Sequence, residues 1–241
     1  MLYPRMTDLL ANPIWHSLST SHSDLAQGNL LARRYPEAIG PLSGIPEQSS
    51  ECWEALKDIL PAGDHCVLFL NEPADPGGRM KLVTEFPIEQ MLCESPRSVS
   101  STGIEIKELG ENDVPEMMSL ATLTEPGPFR HRTIQLGGYV GVRDRGWLAA
   151  MAGQRTAIPG YREVSAVCTH PIYRGKGYAA TLVSAVMKEI AKHGDLPYLH
   201  VRQDNLNAIR LYHRLGFRIT RTLRCTVLTT SEAAGAAHCR S

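Results

Sequence analysis

The sequence predicts an α/β fold of the α+β kind, in which a mixed sheet flanked by helices follows a smaller N-terminal α+β domain. Three observations support this. Three strand-like apolar runs follow one another between residues 139 and 169, a strongly amphipathic helix follows them, and the polar run 94–103 divides the 241 residues. We therefore expect an N-terminal domain over 1–95, a linker over 96–102, a main domain over 103–228 and a flexible tail over 229–241.

The N-terminal region contains one helix and a little sheet. Ser50 can cap a helix that places Trp53, Leu56 and Leu60 on one face and ends at Pro61. The apolar run 65–70 predicts a strand, and residues 86–88 form a second short apolar stretch.

The main domain has more clearly patterned elements. Alternation around Ile104 and Ile106 predicts a strand, and Asp113 can cap the next helix. Downstream, the pattern predicts strands over 139–142, 147–153 and 164–169, a helix from Gly177 to Lys192, a strand over 199–201, a helix over 205–215 and a closing strand over 217–227.

Composition excludes several classes of function. The chain has 25 Lys+Arg and 25 Asp+Glu. It therefore lacks the surplus of basic residues that would attract nucleic acid or anionic lipid. No apolar run is long enough for a membrane helix, and the start lacks an export-signal pattern, which predicts a cytoplasmic protein. The six cysteines are scattered, so we expect buried reduced thiols and no metal site.

The turn Arg174-Gly175-Lys176-Gly177 lies between a predicted strand and a predicted helix. The first N–H groups of a helix have no partner within it, and glycines let that backbone wrap an anion. Arg174 and Lys176 would favour a pyrophosphate. The spacing matches neither a nucleotide P-loop nor a dinucleotide-binding fingerprint, and a solvated glycine-rich connection is the alternative interpretation.

Two blocks of sequence in order make the turn more specific. The segment 167–179, Val-Cys-Thr-His-Pro-Ile-Tyr-Arg-Gly-Lys-Gly-Tyr-Ala, resembles the acyl-CoA-binding core of the GNAT superfamily of N-acetyltransferases, with its Arg/Gln-x-x-Gly-x-Gly/Ala loop. The block from Asn205 to Phe217 resembles the next helix of that family. The resemblance covers about residues 103–228 and points to the glycine-N-acyltransferase-like branch, whose members often have an extra N-terminal domain.

This resemblance implies a GNAT-type mixed, mostly antiparallel twisted sheet and acetyl-CoA as the acyl donor. It implies that the backbone of Val167, Cys168 and Thr169 holds the pantetheine arm. It also implies that the pyrophosphate is held by Arg174, Gly175, Lys176, Gly177, Tyr178, Ala179 and Ala180. Asn205 would bind the same arm, although a plain helix cap explains that residue equally well.

The resemblance also suggests an acid and a base. Tyr212 is the candidate acid that protonates the departing thiolate, with a core aromatic as the alternative. Glu163 is the candidate base, and strand alternation would place it on one face with Ser165 and Val167; a solvated carboxylate is the alternative. His200 is the second candidate base. His131 is expected to line the acceptor entrance, and His170 to occupy a turn.

We therefore expect an enzyme that transfers an acetyl group directly to a primary amine, without a cysteine intermediate. A small-molecule amine, an amino acid or a peptide remains open as the acceptor, and a homodimer is possible. The alternatives are a CoA-binding sensor without turnover and an acyltransferase that uses a larger acyl-CoA.

Overall fold

The first elements of the chain are short and pack onto a central sheet. The computed structural model describes residues 8–97 and 103–230. Helix α1 (Pro13–Ser19) precedes a small antiparallel sheet of three two-residue strands, β1 (Gln27–Gly28), β2 (Arg33–Arg34) and β3 (Ser43–Gly44). Helix α2 (Ser50–Asp58) follows, and its cap is Ser49 rather than Ser50, because Ser49 Oγ accepts a hydrogen bond from Cys52 N at 3.3 Å.

The central sheet has eight strands in the order β4-β11-β5-β10-β9-β8-β7-β6. All neighbouring pairs are antiparallel except β9 and β10, so the predicted fold class is confirmed. The strands are β4 (His65–Leu70), β5 (Lys81–Leu92), β6 (Lys107–Leu109), β7 (Tyr139–Asp144), β8 (Trp147–Ile158), β9 (Tyr161–Thr169), β10 (Leu196–Arg202) and β11 (Arg218–Thr229).

Apart from the small sheet β1–β3, the strands of the predicted N-terminal domain do not form a sheet separate from the main one. Strand β5 lies inside the central sheet, paired with β10 on one side and with β11 on the other, and β4 pairs with β11. The proposed boundary at 96–102 is therefore not a division between two sheets. Its polar composition suggested a linker, but strand pairing is a long-range property that local composition does not report.

Three further helices cover the sheet: α3 (Val114–Thr124), α4 (Tyr178–Lys192) and α5 (Leu206–Leu215). On β8, Met151 packs with α3, whereas Ala150 and Ala152 pack with α4 and α5. Because successive strand residues point to opposite faces, α3 and α4 lie on opposite sides of the sheet. Helix α1 packs on Val67 and Phe69 of β4, and α2 packs on Cys66 and Leu68, again on opposite faces.

Strands β9 and β10 separate part-way along their length. Their parallel pairing runs only from Leu196↔Tyr161 to Tyr198↔Glu163. Beyond Glu163, β9 continues on β8 and β10 continues on β5. A gap therefore opens in the middle of the sheet, with one edge of each strand facing it.

A bulge in β9 changes which side chains share a face. The β8–β9 register shifts between Gly153↔Ser165 and Met151↔Cys168, and Ala166 has a left-handed φ of 49°. Val167 consequently packs with the same cluster as Val164. The predicted alternation of Glu163, Ser165 and Val167 on one face is therefore wrong at Val167, because the extra residue reverses the pattern.

Some other predictions shift at their ends. The strand predicted at Ile104 and Ile106 begins at Lys107, and the stretch 86–88 belongs to the long strand β5. The predicted tail includes Thr229 and Thr230, which are ordered: Thr230 Oγ1 accepts from Gly63 N and donates to Pro61 O. The rest of that tail, residues 231–241, and positions 98–102 of the linker lie outside the described residues.

The described residues include five cysteines, all free and buried, as predicted; Cys239 lies outside them. No helix in residues 8–97 and 103–230 is long and apolar enough to cross a membrane.

Candidate active site

The gap between β9 and β10 is part of a cavity of about 550 Å³. Its walls come from the end of α3 on one face of the sheet, from α5 on the other, and from both separated strands. Val167 and Thr169 line it from β9, and Asn205 and Tyr212 line it from α5. The cavity therefore joins the two faces of the sheet, as a reaction between two substrates would require.

A second groove of about 310 Å³ continues from this cavity along the start of α4. Both are lined by Thr169, Arg174 and Ala179, and the groove is lined further by Gly175, Gly177, Tyr178 and Ala180. The sequence-predicted donor residues therefore form one continuous surface, apart from Cys168 and Lys176.

The turn before α4 has the conformation that its glycines permit. Gly175 and Gly177 both have φ of 81°, and Gly177 is the N-cap of the 15-residue helix. A Cβ added at either glycine would meet no heavy atom within 4 Å, so the space in front of the turn is open. Unpaired N–H groups and the positive end of the helix dipole face that space, which suits a pyrophosphate.

The two predicted donor residues outside this surface have other contacts. Lys176 Nζ lies 5.0 Å from the centroid of the Tyr173 ring, a cation–π contact. Cys168 is buried beneath the strand with Met117, Tyr139 and Met151, and burial raises the pKa of its thiol to about 12. A buried thiol of that kind is a poor nucleophile, which agrees with the expected absence of a cysteine intermediate.

Tyr212 packs edge-on against Phe217, with ring centroids 5.9 Å apart, and its side chain is largely buried. Burial raises the pKa of its hydroxyl above the ordinary value, so the phenol stays protonated at neutral pH. Asn205 caps α5, because its Oδ1 accepts from Ala208 N at 3.1 Å. The cap is thus present, and the same side chain lines the cavity.

Glu163 does not line the cavity and is completely buried. Its carboxylate accepts two hydrogen bonds from Arg155, at 2.9 and 2.6 Å, one from Thr156 Oγ1 at 2.6 Å, and pairs with His200 Nδ1 at 2.7 Å. Although burial opposes ionisation, Arg155 and His200 hold the pKa of Glu163 well below its usual range. This geometry counts against Glu163 as the general base.

His200 lines the cavity, but both of its ring nitrogens are engaged. Nδ1 pairs with Glu163, which leaves Nε2 to accept a hydrogen bond from Gln90 Nε2 at 3.0 Å. Burial lowers the pKa of His200, so the ring is neutral at pH 7. Two other histidines were given roles from the sequence. His131 is exposed and lines neither the cavity nor the groove described above. His170 occupies the predicted turn, where its Nδ1 accepts a hydrogen bond from Ile172 N.

Among the residues of the site that were not predicted are Glu125 and Arg155, which line the cavity, and Gln90, which binds His200. Arg155 is a cation between Gln154 and Thr156 that follows the apolar run 147–152, and it lies eight residues before Glu163 across a hairpin. That signal was available, but the predicted strand stopped at Gly153, short of it. Gln90 had no local signal, because β5 joins the site only through pairing with β10.

Comparisons with known proteins agree with this geometry. The FR47-like protein family matches residues 139–225, which contain the donor loop and Tyr212. A GNAT-family protein from Novosphingobium aromaticivorans is 40% identical, with a TM-score of 0.85 over 92% of this chain and 98% of that one. The chain belongs to the GNAT family of acetyltransferases. A GCN5-related N-acetyltransferase from Kribbella flavida is 16% identical, with a TM-score of 0.64 over 92% of this chain and 96% of that one, and shares the fold. No curated protein matches the sequence.

Proposed function

We propose that this GNAT-family protein transfers an acetyl group from acetyl-CoA to a primary amine by direct attack. The observation that carries the proposal is the continuity of the glycine turn before α4 with the gap between β9 and β10, where Tyr212 also lies. A long donor with a phosphate end and a reactive thioester end fits such a surface. A CoA sensor would need the phosphate loop but not the cavity that passes through the sheet.

The donor is held mainly by backbone groups in this proposal. The edge of β9 at Val167, Cys168 and Thr169 has lost β10 as a neighbour, so its N–H and C=O groups are available to the pantetheine arm. The turn from Arg174 to Ala180 receives the pyrophosphate. Asn205 contributes side-chain polarity from α5. A backbone N–H near the bulge at Ala166 stabilises the oxyanion of the tetrahedral intermediate.

Tyr212 acts as the acid. When the carbon–sulfur bond breaks, the thiolate takes the phenolic proton, and water reprotonates the tyrosine. The buried surroundings that raise the pKa of Tyr212 also disfavour a naked thiolate, which favours the transfer at that moment. Glu163 serves a positioning role instead, by holding Arg155 and His200 in place.

Thiol release from acetyl-CoA, measured with a panel of primary amines, tests this function. We expect turnover with at least one amine, and we expect Tyr212→Phe to lower kcat about 100-fold while the CoA dissociation constant changes little. CoA binding without turnover on any amine would support the sensor instead. Faster transfer from butyryl-CoA than from acetyl-CoA would support the enzyme with a larger acyl donor.

We also propose a cytoplasmic location. Its support is the state of the five described cysteines, which are buried and unpaired, as is usual in a reducing compartment.

A further inference from the structure

Arg155 is a buried cation that lines the cavity with part of its guanidinium uncommitted. Its side chain is 9% exposed. Nε and one terminal nitrogen bind Glu163, and the ring of Phe69 lies 5.5 Å from the guanidinium carbon. The other terminal nitrogen, Nη1, has no hydrogen-bond partner among the described residues. It lies 3.9 Å from where a Cβ of Gly127 would be, in the loop that follows α3.

The other two arginines of the cavity are placed for different tasks. Arg174 belongs to the donor turn. Arg202 binds Asp204 through two hydrogen bonds of 3.0 and 2.8 Å and stacks on Phe86. Arg155, in contrast, is buried and lies beside the loop that follows α3, on the side of the sheet away from α4 and α5. A buried N–H group that has no hydrogen-bond acceptor costs free energy. A carboxylate is the acceptor whose geometry matches the N–H groups of a guanidinium best.

A carboxylate stands on the same loop. Among the residues that line the cavity, Glu125 is the one acidic side chain, and in residues 8–97 and 103–230 it makes no ion pair. Its backbone has a left-handed φ of 48°, which is unfavourable for a residue with a Cβ. Gly127, beside which Arg155 Nη1 lies, follows Glu125 by two residues, and Arg155 and Glu125 both line the cavity.

We propose that the acceptor is a free amino acid, whose carboxylate binds Arg155 Nη1 and whose amine faces Glu125. This inference rests on the proposed acetyl transfer. A ligand that reaches a side chain 9% exposed must be small or present a chain end, which disfavours an internal lysine of a folded protein.

The proton balance is complete with these groups. The ammonium gives one proton to Glu125, and the free amine attacks the thioester carbonyl. The nitrogen then loses a second proton to water, the carbon–sulfur bond breaks, and the thiolate takes the proton of Tyr212. Glu125 and Tyr212 return to their starting states through solvent, so the products are the N-acetyl amino acid, CoA and one released proton.

The test compares free amino acids with their α-amides, which keep the amine but replace the carboxylate by a neutral carboxamide. With acetyl-CoA as donor, we expect kcat/KM to be about 10- to 100-fold higher for at least one amino acid than for its amide. Calorimetry of the same pair against the protein saturated with CoA measures the preference without turnover. Equal values for acid and amide throughout, in both measurements, would overturn the inference.

Removing Arg155 alone would leave Glu163 buried without a cation, so the informative variant is the double change Arg155→Gln with Glu163→Gln. Thermal unfolding and CoA affinity establish that the variant is folded. We expect the acid-to-amide ratio to fall to about one in this protein. A ratio that persists would contradict the role of Arg155.

A second variant addresses Glu125. We expect Glu125→Gln to raise KM for the amino acid and to lower kcat about 10-fold or more, whereas Glu111→Gln, an exposed carboxylate elsewhere, leaves both unchanged. Unaltered kcat and KM in Glu125→Gln would overturn the role of that residue.

The same carboxylate chemistry could come from the donor, as in succinyl-CoA. If Arg155 served the donor, succinyl-CoA would outperform acetyl-CoA on a neutral amine and would lose that advantage in the double variant; that result would overturn the acceptor assignment. If no amine or amino acid is acetylated at all, the proposed function fails and this inference fails with it. If amines are acetylated but free amino acids are not preferred over their α-amides, this inference fails and the proposed function stands.

Discussion

At the scale of single residues, the ionic contacts of Glu163 decide which chemistry it can perform. A carboxylate that already accepts hydrogen bonds from Arg155 and Thr156 and pairs with His200 has little affinity for a further proton. The sequence predicted Glu163 and His200 as candidate bases. It could not reveal that the two contact each other, since 37 positions separate them.

A second buried histidine makes stability depend on pH. His22 Nδ1 contacts Tyr35 OH at 2.8 Å and Ser17 Oγ at 3.2 Å, and burial lowers the pKa of His22 to about 4. Between pH 6.5 and 4 the unfolded chain binds a proton here that the folded chain does not, so stability falls as the pH falls. We expect His22 to account for about 3 kcal/mol of the free energy of unfolding lost over this range.

Urea denaturation at pH 7 and pH 4.5 measures this effect. The variant His22→Asn should lose less stability between the two pH values than the wild type does, and His131→Asn, at an exposed position, should match the wild type. Equal losses for all three proteins would mean that His22 does not cause the dependence.

At the scale of elements, local pattern located most helices and strands but not their extent. The strand 65–70 and the helix starting at Gly177 were predicted closely, since periodicity and turn residues are local signals. Strand β8 continues five residues beyond the predicted end, because Gly153 resembles a turn residue. In the sheet that glycine instead leaves room for the Tyr139 ring, which would lie 2.3 Å from an added Cβ.

Helix α5 offers a way to separate the two roles considered for Asn205. The observed cap predicts that Asn205→Ala lowers the free energy of unfolding by about 1 kcal/mol, whereas Asn205→Ser keeps a capping oxygen and recovers most of that loss. If Asn205 also binds the donor, the serine variant should still bind CoA more weakly than the wild type. Calorimetry and thermal unfolding of both variants check this. Wild-type CoA affinity in the serine variant would restrict Asn205 to capping.

At the scale of the whole molecule, the N-terminal segment completes both the sheet and the site. Gln90 of β5 binds His200, and Phe69 of β4 packs on His200 with ring centroids 4.7 Å apart. An independent N-terminal domain, as the sequence predicted, would leave the main sheet intact on removal. Removing β5 instead leaves β10 and β11 without the strand that joins them.

We therefore expect a fragment of residues 103–241 to be unfolded or aggregated and to bind no CoA. Co-expression with residues 1–97 should restore binding, because both fragments end outside the strands of the sheet. Near-ultraviolet circular dichroism measures whether the fragment is folded, and calorimetry measures whether it binds CoA. A lone 103–241 fragment that is folded and binds CoA with wild-type affinity would refute this view of the sheet.

The most direct test of the central claim, that the donor binds through the turn before α4, is a calorimetric titration of acetyl-CoA into two matched glycine variants. Gly177→Val and Gly194→Val impose the same strain, since the two glycines have φ of 81° and 78° and open space around them at opposite ends of α4. Only Gly177 faces the donor groove. We predict that Gly177→Val weakens acetyl-CoA binding at least about 10-fold while Gly194→Val binds as the wild type does. Equal affinity in the two variants would contradict the claim.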